Sequence, residues 1–92
     1  MKANKHSQFV SISLEEFTKL HARNNPLDKP EQVRRLIIQA VKRKAAGAKC
    51  IHCGQPIWAI GSAFVGWNGC FTCITGEASC HDDYEIDEVC FI

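Results

Sequence analysis

From Cys50 to its last residue this sequence contains no lysine and no arginine. Any surface for an anionic partner must therefore come from the first half. Long apolar runs are missing too, since none approaches the roughly 18 residues of a membrane-spanning helix, and no membrane partner is expected. The opening MKANKHSQFVSIS lacks the apolar centre of a secretory leader, which points to a cytoplasmic protein. Thiols stay reduced in that compartment, and this weighs against a disulfide framework for the six cysteines. Phosphate-binding glycine loops, nucleophile motifs and longer internal repeats are absent as well. A charged fraction of 23% beside 46% hydrophobic residues excludes a disordered chain.

What the sequence does contain is a clip. Cys50-Ile-His-Cys53 and Cys70-Phe-Thr-Cys73 stand sixteen residues apart, with Gly54 directly after the first pair. Two Cys-x-x-Cys pairs at about this spacing are the sequence form of a four-cysteine zinc site. Zinc takes four ligands in a tetrahedron; each turn supplies two thiolates, and a returning hairpin closes the other side. The expected ligands are Cys50, Cys53, Cys70 and Cys73, holding one structural Zn²⁺. A chain of 92 residues buries limited apolar surface, so such a staple is physically motivated. One domain over 1–92 is expected, with a basic helical part (1–49) and a cysteine-rich β ribbon with an acidic tail (50–92).

The charge is split between those parts. All eleven Lys and Arg with only four acids leave residues 1–49 at +7, and six acids leave residues 50–92 at −6. Such asymmetry suggests an anionic partner for the first half, with nucleic acid the leading candidate; the plainer reading is that the halves attract each other on folding.

Along the chain, Gln8 to Ser13 could form a short strand. Ser13-Leu-Glu-Glu16 is a capping box, and Leu14, Phe17 and Leu20 give helix 13–23 an inward stripe. Asn24-Asn-Pro26 stops it. His21 reads as an edge histidine rather than a ligand. A second helix starts at Asp28 or Lys29, with Pro30 in its first turn and Val33, Leu36, Ile37, Ala40 and Val41 on one stripe. Lys29, Arg34, Arg35, Lys42, Arg43, Lys44 and Lys49 are the candidate contacts to a phosphate backbone or a nucleoprotein partner. Cations near a helix C-terminus also suit its dipole, which explains some of them without any partner.

Pro56–Ile60 and Ala63–Trp67, separated by Gly61-Ser62, read as an antiparallel hairpin that returns the chain to the second cysteine pair, with Trp58, Phe64 and Trp67 mainly in the core. The tail alternates at Tyr84, Ile86, Val89 and Phe91, and is expected to add a strand along the ribbon. Asp82, Asp83 and Glu85 form a solvated edge or an acidic surface for a basic partner. Cys80, His81 and Cys90 are surplus to the clip. The expected class is α+β: two N-terminal helices, then a small antiparallel sheet with a zinc-ribbon-like site. Catalysis is not expected. Four thiolates leave no open metal position for water, and a redox Cys-x-x-Cys needs a strand–helix setting that CIHC, after a helix and before an apparent strand, lacks.

A very short chain with a basic helix, CIHCGQPIW, GWNGCFTCITGE and an acidic DDYEI tail resembles, over its whole length, the small accessory proteins of phages and mobile elements of Gram-negative bacteria. Among these it resembles an anti-CRISPR protein acting on the type I-F surveillance complex. That resemblance implies a non-enzymatic inhibitor in the host bacterial cytoplasm, docked on Cas proteins and crRNA so that target DNA cannot pair with the guide. Its basic helix would face guide RNA, or a surface shaped to receive DNA, and its acidic tail Lys and Arg of Cas subunits. The competing expectation is a zinc-ribbon transcription regulator that contacts DNA directly.

Overall fold

A computed structural model describes residues 9–80 and 83–90. The elements run β1 (Val10–Ile12), α1 (Leu14–Asn24), α2 (Pro30–Ala45), α3 (Ala59–Val65), α4 (Phe71–Thr75) and β2 (Tyr84–Ile86), with a single 3₁₀ turn at Asp87–Val89. The first two helices follow local signals. The Ser13 hydroxyl accepts from Glu16 N–H at 3.0 Å, as a capping box requires, and Pro30 opens α2 where its missing N–H costs nothing. Both helices lay apolar stripes on a shared core. Val33, Ile37, Ala40 and Val41 of α2 meet Ala59, Ile60 and Ala63 of α3, with Leu14, Phe17 and Leu20 of α1 packed alongside. Leu36, expected on that stripe, is 43% exposed.

The sheet is not the expected one. The paired strands are β1 and β2, and they run parallel, with Val10 opposite Tyr84, Ser11 opposite Glu85 and Ile12 opposite Ile86. An antiparallel ribbon is therefore incorrect, and the stretch read as its hairpin contains α3 instead. The physical reason is twofold. A short apolar run such as Ile57–Val65 satisfies helical spacing as readily as alternation. The decisive capping group is also remote: the Glu85 carboxylate accepts from Ala59 N–H at 2.7 Å and Ile60 N–H at 3.2 Å. Those are N–H groups that an α-helix leaves unpaired at its start. Gly61-Ser62, expected as a turn, lies in mid-helix, where the Ser62 hydroxyl bonds Gly69 N–H and C=O at 3.0 Å each.

The acidic tail thus enters the molecule rather than edging it. Glu85 is fully buried, and its Oε2 takes a 2.8 Å bond from Lys44 Nζ, which is itself buried at the end of α2. One carboxylate links α2, α3 and β2, the last through Ile86 N–H at 3.1 Å. The two oppositely charged halves of the sequence are joined through this pair and through the β1–β2 ladder.

Candidate metal centre and cationic face

The first cysteine pair sits on a tight turn closed by Lys49 and Pro56, which form an antiparallel bridge, with Cys50 N–H donating to Gln55 C=O at 2.7 Å. Gly54 has φ +78°, a left-handed conformation that a side chain would resist, so the glycine directly after the pair is what lets the turn close. The second pair sits differently: Cys70 is the N-cap of α4 and Cys73 lies in its first turn. Two ties hold the pairs together. Ile51 N–H donates to Asn68 C=O at 3.0 Å, and Trp58 N–H to Gly69 C=O at 2.8 Å. Gly69 has no room for a side chain, because its Cβ would strike the Trp67 ring.

The result brings all four expected ligands into one cluster. The sulfurs of Cys50, Cys53, Cys70 and Cys73 lie within 4.8 Å of one another, the Cys53 and Cys70 sulfurs 3.4 Å apart. A tetrahedron of thiolates at ~2.3 Å from zinc has edges of about 3.8 Å, inside that range. The cluster can hold a metal ion. Soft sulfur donors in this arrangement suit zinc or iron and disfavour hard cations. With four sulfurs engaged the coordination sphere is full, so the centre would act as a staple.

The protons on these thiols are unevenly shared. Burial opposes ionisation of Cys50, but the N–H groups of His52, Cys53 and Cys70 outweigh it and hold the thiol down at about 6. Cys73 is pushed up to about 12, because its proton is held first by the Cys70 sulfur and then by Cys50. For Cys53 the Gln55 N–H favours the thiolate, yet the hydrogen bond to Cys70 prevails and holds the thiol above its ordinary range. A metal must displace the protons of Cys53 and Cys73 near neutral pH, so its affinity falls as pH falls. Competition titration with a chromophoric chelator is expected to give roughly a tenfold loss per pH unit for each proton displaced. The loss steepens below about pH 6, where Cys50 also takes up a proton. A flat profile from neutral to acid pH would contradict thiolate ligation.

Cys80 and Cys90 stand outside the cluster. Cys90 is buried beside β1, its sulfur 4.0 Å from the Phe9 carbonyl, and His81 lies outside the described residues. His21 is the edge histidine expected, with Nε2 2.8 Å from Asp28 and its ring stacked on Phe64. Phe64 itself is 44% exposed, and Trp67 half-buried, so neither is a core residue in the sense expected.

The seven cationic candidates divide sharply. Lys44 is buried against Glu85 and presents nothing to a partner. Arg34 pairs with Glu15 across the α1–α2 surface at 2.8 Å, and half-buried Arg43 donates from Nε to Asn68 Oδ1 at 2.8 Å. Lys29, Arg35, Lys42 and Lys49 are exposed and have no carboxylate partner among the described residues. Of the acidic candidates, Glu85 is interior, Asp83 is half-buried with its carbonyl accepting from Val10 N–H at 2.7 Å, and Asp82 lies outside the described residues. Among the described residues of this region the exposed acids are Glu77, Asp87 and Glu88, which the sequence pattern does not mark as a site. Among the described residues no helix is long and apolar enough to cross a membrane. Comparison with protein-family models, curated proteins and solved structures found no match.

Proposed function

We propose that this chain is a non-enzymatic binding protein, stapled by a structural zinc ion, that docks on a nucleoprotein complex and blocks it. The observation that carries the reading is the set of exposed cations Lys29, Arg35, Lys42 and Lys49, without a carboxylate partner among the described residues and held on and beside a helix that packs into the core. Guanidinium and ammonium groups without internal partners are free to replace counterions on phosphates. A filled thiolate sphere supports a scaffold role for the metal rather than a catalytic one. The resemblance to anti-CRISPR proteins makes the specific form of the proposal an inhibitor of a type I-F crRNA-guided complex that prevents target DNA from binding.

Stoichiometric capture on such a complex, with weak association to free duplex DNA, is the expected outcome. Arg35→Glu with Lys42→Glu is expected to weaken that capture on the order of a hundredfold, since like charges facing phosphates cost several kcal/mol. Undiminished capture by this variant would remove the cationic face from the argument. Tight, sequence-specific binding to free duplex would favour a transcription regulator instead.

A further inference from the structure

We infer that the groove between α2 and the loop joining α3 to α4 receives an unpaired base of a single-stranded nucleic acid, whose phosphates lie along Arg35 and Lys42. The inference rests on the cationic-face reading and names the ligand class for it. The groove, about 380 Å³, is lined by Leu36, Gln39, Arg43, Gly66, Trp67 and Asn68 among others. Leu36 and Trp67 give it apolar walls for a planar ring. The polar members are the kind that read a base edge. Gln39 is exposed and its amide, with both donor and acceptor faces, has no internal partner among the described residues. Arg43 spends its Nε–H on Asn68 Oδ1, which fixes the guanidinium in place. Its terminal N–H donors and the Asn68 NH₂ remain for a ligand.

The helix sets the relation between base and backbone. Leu36, Gln39 and Arg43 are spaced three and four residues apart and form one row along α2. Arg35 and Lys42 stand one residue behind Leu36 and Arg43, two turns apart on the neighbouring exposed row. Among the described residues no Asp or Glu lines the groove. An anionic strand can therefore run along the outer row while a base turns into the inner one. A duplex keeps its bases stacked and offers none to a concavity of this kind, whereas single strands present bases that can be splayed out, stacked and bonded along their edges.

The test measures binding of the full, metal-loaded chain to four probes. These are a short single-stranded RNA, the same strand with abasic residues, the corresponding duplex, and inorganic polyphosphate. The single strand is expected to bind on the order of fivefold or more tighter than its abasic counterpart, the scale of one base contact. Gln39→Ala is expected to shrink that difference and leave the salt dependence unchanged. Arg35→Gln with Lys42→Gln is expected to weaken the single strand and the abasic strand alike, and to flatten the salt slope by roughly 1.4, about 0.7 for each lost phosphate contact. Equal binding of intact and abasic strands, or a preference for duplex, overturns the base subsite and leaves the cationic-face reading standing. Failure to bind any of the four overturns both.

Discussion

Cys70→Ser is expected to abolish the fixed tertiary structure of residues 49–56 and 66–76, and a strong chelator is expected to do the same to the unaltered chain. Apart from α3, which the core and Glu85 hold, these two stretches have little else to hold them. Helix α4 is five residues long, far below what persists alone in water, and the Cys50–Gln55 turn is closed by single hydrogen bonds. A structural zinc in a four-ligand site contributes an apparent 10–16 kcal/mol, on the order of the whole stability of an ordinary domain. Cys70 also caps α4, its sulfur accepting from Cys73 N–H at 3.4 Å, so the substitution removes a cap along with a ligand. Cys53→Ser is the cleaner comparison, because Cys53 is exposed and caps nothing. Both variants should lose near-ultraviolet dichroism, and elemental analysis of the parent should give one metal per chain. Protein purified without metal, with four reactive thiols and an unchanged melting curve, would end the staple argument.

Glu85→Leu carries the second large effect. Removing one member of a buried ion pair strands the other charge, at a cost of about 3–5 kcal/mol. Here the loss is compounded, because the same carboxylate accepts from Ala59, Ile60 and Ile86 N–H groups. A drop in Tm of roughly 12 °C or more is expected, taking about 4 °C per kcal/mol for a domain of this size. Lys44→Met is expected to cost less, since it leaves Glu85 with those three N–H donors. Thermal and denaturant melts of the two variants should preserve that order. A larger loss for Lys44→Met would mean that the ammonium, rather than the carboxylate, organises this junction. The pair also limits how far the charge split of the sequence speaks for an outside partner. Part of that split is consumed internally, at Lys44–Glu85.

Elements that depend on neighbours a few residues away were legible in the sequence. The Ser13 capping box, Pro30 at the start of α2 and the Val33–Val41 stripe all act within one or two turns of helix. They predict two helices that the structure contains. The cysteine cluster was legible for a related reason. Thiolate spacing is dictated by the geometry of a metal, which is independent of the fold around it, and the four sulfurs do converge. The second pair nonetheless converges from a helix N-terminus, not from a ribbon.

The Cys-x-x-Cys clip, the two leading helices and the concentration of cations before Cys50 are properties that the sequence by itself determined. The antiparallel ribbon failed because the pattern of Ile57–Val65 suits strand and helix alike, and Gly66, which ends α3 at φ +85°, fits a turn as well as a helix end. That choice belongs to Glu85, some 25 residues downstream, whose carboxylate meets the N-terminus of α3 only after the tail has folded across α2. Tertiary structure likewise decided which charges face outward. Lys44 and Lys42 look alike in sequence, yet one is sealed against a carboxylate and the other is exposed. The helical repeat turns Lys44 about 200° from Lys42, onto the Val33–Val41 face, but it is the Glu85 carboxylate brought in by the tail that gives an ammonium there a partner.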